Sequence, residues 1–167
     1  MKILGKNSLS SKLLIGVRVI IFLTIVAMML IAMITFKDFR DVINGQTEKI
    51  SETVLITGVF IAGFLFVAML IYLTSFLSNL KEEICFDDGN VTILRRISNL
   101  VLGGSIIYGI MSVLHIVFAN NYMDIITYNA FLWILTIIML CLSIGLKMFN
   151  EIYKKAIEFK KENDFTI

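Results

Sequence analysis

The stretch LLIGVRVIIFLTIVAMMLIAMITF, residues 13–36, decides the fold. A helix rising about 1.5 Å per residue needs roughly 20 residues to cross a hydrocarbon core about 30 Å thick. This stretch supplies them, and residues 54–77, 97–119 and 125–146 do the same. Hydrocarbon offers no partner to peptide N–H and C=O groups, so each crossing must be a helix that satisfies its own backbone. The chain contains no proline, which leaves all four uninterrupted. The connections are too short for a separate soluble core. They also force neighbouring helices antiparallel. The expectation is an all-α integral membrane protein: a single domain over residues 1–167, folded as an up-down bundle of four transmembrane helices.

Composition agrees. Hydrophobic residues make up 58% of the chain and mean hydropathy is +0.89, outside the range of soluble domains. Lys2, Lys6 and Lys12 precede the first span as they would a secretory signal, but the apolar stretch is too long and no small-residue cleavage site follows Phe36. It is expected to remain as the first helix. Four spans put the N-terminus, the second connection and the C-terminus on one side, and twelve of the fifteen Lys and Arg residues fall there. Short basic loops stay in the cytoplasm, so a multi-pass cell-membrane protein with both termini cytoplasmic is expected. Arg18 enters the first span near its inner boundary, where its stem can snorkel. The triplet Asn90-Val91-Thr92 matches the glycosylation pattern, but this orientation places it inside and it reads as chance.

The connections carry their own signals. Residues 37–53 mix acids and bases around Gly45 and read as a solvated loop, with Thr47 and Glu48 capping the second helix. The second helix is expected to run on through residues 78–84 and stop at Asp87-Asp88-Gly89-Asn90. There Gly89 takes positive φ, Asp88 or Asn90 caps a third helix starting near Asn90, and Phe86 packs back on that helix. Asn120-Asn121 forms the outer turn, with Tyr122 and Tyr128 in the aromatic belt.

Between helices in lipid, small and polar residues mark contacts. The third span is richest in them, with Gly103, Gly104, Ser105, Tyr108, Gly109, Ser112 and His115, so it is placed at the bundle centre. Gly58 and Ala62, and Cys141 and Gly145, share the four-residue spacing. Ser105, Tyr108, Ser112 and His115 are the candidate intramembrane polar residues. His115 has no acidic or basic neighbour at mid-depth, so a neutral imidazole bonded to an adjacent helix is expected. Cys85 and Cys141 read as unpaired thiols, and no metal or cofactor is expected. No nucleophile–base pair, phosphate loop or ligand cluster points to an enzyme.

Beyond Leu146 the chain becomes amphipathic at helical spacing. Met148, Phe149, Ile152, Tyr153, Ala156, Ile157 and Phe159 fall on one half of the wheel, with mixed charges opposite. An amphipathic cytoplasmic helix over about 147–163 is expected, continuing the fourth span and turning its apolar half onto the hairpin between spans two and three, onto headgroups or onto a partner. Phe86, Arg95, Arg96, Ile152, Ile157 and Phe159 are the candidate partner-binding residues.

The closing segment Glu162-Asn163-Asp164-Phe165-Thr166-Ile167 resembles that of a bacterial membrane family, domain of unknown function 2975. Phe86, Asn90-Val91 and Leu94-Arg95-Arg96-Ile97 in the inner loop, with the order of four spans, extend the resemblance over nearly the whole chain. It implies a bacterial inner-membrane protein with no assigned site residues, and a helix-turn-helix regulator of the Cro/repressor type as cytoplasmic partner. The expected function is non-enzymatic and regulatory: the inner hairpin and tail hold or modulate that regulator, with no direct nucleic-acid contact. The alternatives are a small transporter or homo-oligomeric pore lined by the intramembrane polar residues, and self-protection against a membrane-active peptide. The expected partners are the lipid bilayer, the regulator and a second copy of the chain.

Overall fold

A computed structural model describes residues 9–45, 50–118 and 122–164. They form α1 (Leu9–Ile43), α2 (Ile50–Lys81), α3 (Asp88–Phe118) and α4 (Tyr122–Asp164). Each is long and apolar enough to cross a membrane, and the chain is a multi-pass membrane protein built as a helical bundle.

The helices overrun their apolar stretches because little in the sequence stops them. α1 continues through Lys37 and Arg40 to Ile43, so the expected loop at 37–53 is largely helix. Gly45 ends it at φ 95°, a conformation open to glycine at little cost, with its amide donating to the Val42 carbonyl at 3.0 Å. The caps expected at Thr47 and Glu48, the Asn120-Asn121 turn and the last three residues of the chain lie outside the described residues. α4 runs without a break for 43 residues, so the amphipathic tail is the far end of the fourth helix.

Helices pack in chain order. α1 lies on α2, α2 on α3 and α3 on α4; among the described residues no other pair brings Cα atoms within 8 Å. Among the described residues the four therefore form a row with α1 and α4 at its edges. Met28, Ala62, Gly63, Val101, Tyr108 and Met139 help line an apolar cavity of about 220 Å³ between the helices.

Each junction seats a methionine against a glycine: Met28 at Gly63, Met111 at Gly58 and Met139 at Gly104. Removing a Cβ lets the backbones close, and the flexible thioether fills the space left. Gly58 and Ala62 thus lie inward as their spacing implied. Cys141 and Gly145 do not: both are exposed, on the side of α4 turned away from α3.

Arg96 on α3 places its guanidinium 5.4 Å from the ring centre of Tyr72 on α2. Nineteen residues separate Arg96 from His115 and Lys147 from Tyr128. At about 1.5 Å per residue that is roughly 28 Å, one hydrocarbon thickness. His115 consequently sits at the boundary opposite the basic end.

Candidate functional site

The connection at the basic end is built by two helix caps. α2 ends in a Schellman arrangement in which the Ile84 amide donates to Asn79 O at 2.9 Å and the Glu83 amide to Leu80 O at 3.3 Å. The left-handed residue this requires is Glu83, at φ 64°. Gly89, expected to take that role, lies in the first turn of α3 instead. The cap of α3 is Asp87, whose Oδ2 accepts the Gly89 amide at 2.9 Å, and α3 begins at Asp88. Glycine at 89 serves by its lack of a Cβ, which would come within 2.5 Å of that capping oxygen.

With Asp87 as cap, Asn90 is released for another task. Fully buried, its Nδ2 donates to the carbonyls of Ile84 at 2.8 Å and Cys85 at 3.2 Å, and its Oδ1 accepts from Asn79 Nδ2 at 2.7 Å. This closes the carbonyls that the turn leaves without helical partners.

α4 completes the arrangement. The Tyr153 hydroxyl donates to the Cys85 carbonyl, and its ring lies 6.4 Å from Phe86, 6.4 Å from Phe76 and 6.1 Å from Phe149 between centroids. Burial pushes the Tyr153 phenol upward, opposed in part by the Asn90 hydrogen bond, so it stays a donor through neutral pH. One turn on, Ile157 is 1% exposed. Lys161 Nζ reaches Asp88 Oδ2 at 2.8 Å, which holds the lysine pKa above its usual value. The tail therefore packs on the hairpin of its own chain, as one of the expected arrangements had it.

The candidate partner-binding residues divide accordingly. Ile157 faces the interior of the chain and is not available to a partner. Phe86 packs on Tyr153 of α4, and keeps half its surface open with Lys160 Nζ 5.2 Å from its ring centre. Arg95 and Arg96 are exposed, Arg96 beside Tyr72. Ile152 and Phe159 are exposed by 65% and 64%.

The intramembrane candidates belong to a polar seam between α3 and α4. Ser98 Oγ donates to Ser143 O at 3.0 Å and Ser143 Oγ to Ser98 O at 3.1 Å. Seven residues on, Ser105 Oγ donates to Thr136 O at 3.2 Å, and seven further, Ser112 Oγ bonds Asn129 Oδ1. Seven residues is about two turns, so both helices present one polar residue at each level of an antiparallel contact. Each such bond contributes only about 0.6 kcal/mol in lipid, so the seam sets register more than it stabilises. His115 lies at its end, 2% exposed and edge-on to Tyr128 at 6.0 Å. Its Nδ1 has no hydrogen-bond partner among the described residues, so the expected bond to a neighbouring helix is not seen at that atom. Tyr108 is half-buried against the apolar cavity.

Sequence reasoning missed Asn79, Ser98, Thr136, Ser143 and Asn150, and Tyr153 as a polar anchor; Asn129 reads from sequence only as a packing and anchoring group. The signal was a polar residue every seventh position, Ser98–Ser105–Ser112 and Asn129–Thr136–Ser143–Asn150, hidden by attention to spacings of four.

Residues 39–167 match the family described as "Protein of unknown function (DUF2975)", and the chain belongs to that family. No curated protein and no solved structure matches it.

Proposed function

We propose that this is a non-enzymatic protein of the bacterial inner membrane, with its basic end in the cytoplasm, that holds a helix-turn-helix regulator there. The observation that carries this reading is the clamp of Asn90 and Tyr153 on the Cys85 carbonyl. It fixes the 82–87 connection to an α4 extension that runs seventeen residues, roughly 25 Å, past Lys147. A membrane anchor alone needs no such ordered block; a docking surface does. Its open face is Ile84 and Phe86 with Lys160 alongside, an aromatic and aliphatic centre edged by one lysine and by the exposed acids Glu82, Glu83, Asp87 and Asp88. The sequence resemblance supplies the kind of partner.

A pore needs its polar side chains along a path, whereas Ser105 and Ser112 donate into the α3–α4 contact. That reading has no observation in its favour. Co-purification of the detergent-solubilised protein with the regulator encoded beside it tests the docking reading. Capture is expected for the intact chain and loss for Ile84→Glu or Phe86→Asp. Capture that persists after both substitutions, or after deletion of residues 150–167, removes the hairpin–tail face from the function. Reporter fusions at the C-terminus test the orientation.

A further inference from the structure

α4 presents two faces free of charged residues over most of its length, and its chain covers only one. The face toward α3 includes Leu132, Ser143, Asn150 and Ile157, all buried. On roughly the opposite side, within about 80° of arc at 100° per residue, lie Ile134, Ile137, Cys141, Met148, Ile152 and Phe159. Every one of these is exposed, the large ones by 55–65%. Gly145 continues the stripe, and a Cβ there would meet nothing within 4 Å. α4 is an edge of the row, so among the described residues no other helix reaches this side.

We infer that α4 pairs in parallel with α4 of a second copy along this stripe. Acyl chains can cover Ile134 and Ile137, but Phe159 lies twelve residues, roughly 18 Å, beyond Lys147, on the far side of Lys154 and Lys155. Whatever covers the whole stripe must accompany α4 through the bilayer and then well out of it. Among the described residues only α4 has that length: α1 is described from nine residues before Arg18, and α2 ends nine residues after Tyr72. Two copies inserted the same way present identical stripes level by level about a two-fold axis along the membrane normal, an isologous contact.

The residues suit that contact. Cys141 and Gly145 are small and let the backbones approach within the bilayer. Met148, Ile152 and Phe159 supply bulk where water would otherwise meet apolar surface. Lys155 falls on the same stripe between Ile152 and Phe159. A single lysine in such a seam is tolerated with its stem along the contact, and it favours one register. The inference goes beyond the docking reading, assigns Ile152 and Phe159 to the second copy, and leaves Ile84, Phe86 and Lys160 to the regulator.

The native thiol makes the test direct. In membranes holding the full chain as Cys85→Ser, oxidation by copper phenanthroline is expected to join Cys141 to its counterpart as a dimer. Single cysteines placed by Ile137→Cys, Met148→Cys or Ile152→Cys in a Cys85→Ser/Cys141→Ser chain are expected to cross-link several-fold more than Leu140→Cys or Leu142→Cys, which are exposed about 100° to either side. Phe159→Glu is expected to lower Cys141 cross-linking to the level of those controls. Equal cross-linking at all positions, or failure of two differently tagged copies to co-purify, overturns the inference. Failure of the intact chain to capture the regulator, with cross-linking as expected, overturns the docking reading alone.

Discussion

Asn90 of α3 and Tyr153 of α4 converge on one acceptor, the carbonyl of Cys85. Sixty-three residues apart, they hold the turn between α2 and α3 to the far end of the longest helix. Asn90→Ala takes a donor from the Ile84 and Cys85 carbonyls in a part-buried setting, at a cost of about 1–3 kcal/mol. Tyr153→Phe keeps the ring contacts and costs about 1 kcal/mol. The double variant is expected to lose more than the sum, because either single variant leaves the shared Cys85 carbonyl one donor and the double variant leaves it neither. Hydrogen exchange across residues 82–90 in detergent gives the values.

The phenol adds a pH limit. Burial raises the Tyr153 pKa in the folded protein, so its stabilisation is complete below the unfolded value near 10. It is lost as pH rises through the higher folded value. The difference in tyrosinate absorbance between the native chain and Tyr153→Phe is therefore expected to titrate above pH 10, with no break between pH 5 and 9.

Glu83 holds a left-handed backbone that costs a residue with a Cβ about 1 kcal/mol. Its side chain is exposed. Glu83→Gly is expected to raise stability by up to about 1 kcal/mol, seen as a higher midpoint in thermal unfolding.

Along the seam, Ser98→Ala is expected to cost no more than about 1 kcal/mol, since hydrogen bonds in lipid contribute little. Ser98→Leu inserts three further carbons at a fully buried position and should cost about 1–3 kcal/mol or displace α4. Unfolding in mixed detergent micelles separates the two outcomes.

Glycines are expected to divide by surroundings. A Cβ at Gly104 would meet the Met139 ε carbon at 3.0 Å, while one at Gly16 would meet nothing within 4 Å. Gly104→Val should cost about 1–3 kcal/mol. Gly16→Ala should be neutral or gain up to about 1 kcal/mol. Parallel melts of the two variants check this.

Four crossings were legible because backbone satisfaction in hydrocarbon permits little else, and α4's extension because its apolar residues keep helical period past Leu146. Element ends were harder to read. Asp87, Asp88 and Asn90 are all competent caps, and only the three-dimensional demand of the Ile84 and Cys85 carbonyls draws Asn90 elsewhere. Glu83 in a left-handed conformation has no sequence signal, since glycine at 89 is the obvious candidate. The serines at 105 and 112 were singled out, but their partners were not. A hydroxyl within an apolar run looks the same whether it bonds its own helix, as Thr74 does to Leu70, or a neighbour, as Ser98 does.

The serial packing of the helices bears on how the protein is made. Each helix finds its main neighbour in the segment synthesised just before it, so the row can grow at one edge as the translocon releases successive hairpins. The last edge to emerge is α4, and its Tyr153 reaches back to fasten a turn that has been waiting since the third crossing. Closure of the hairpin–tail block thus waits on synthesis of α4 as far as Tyr153.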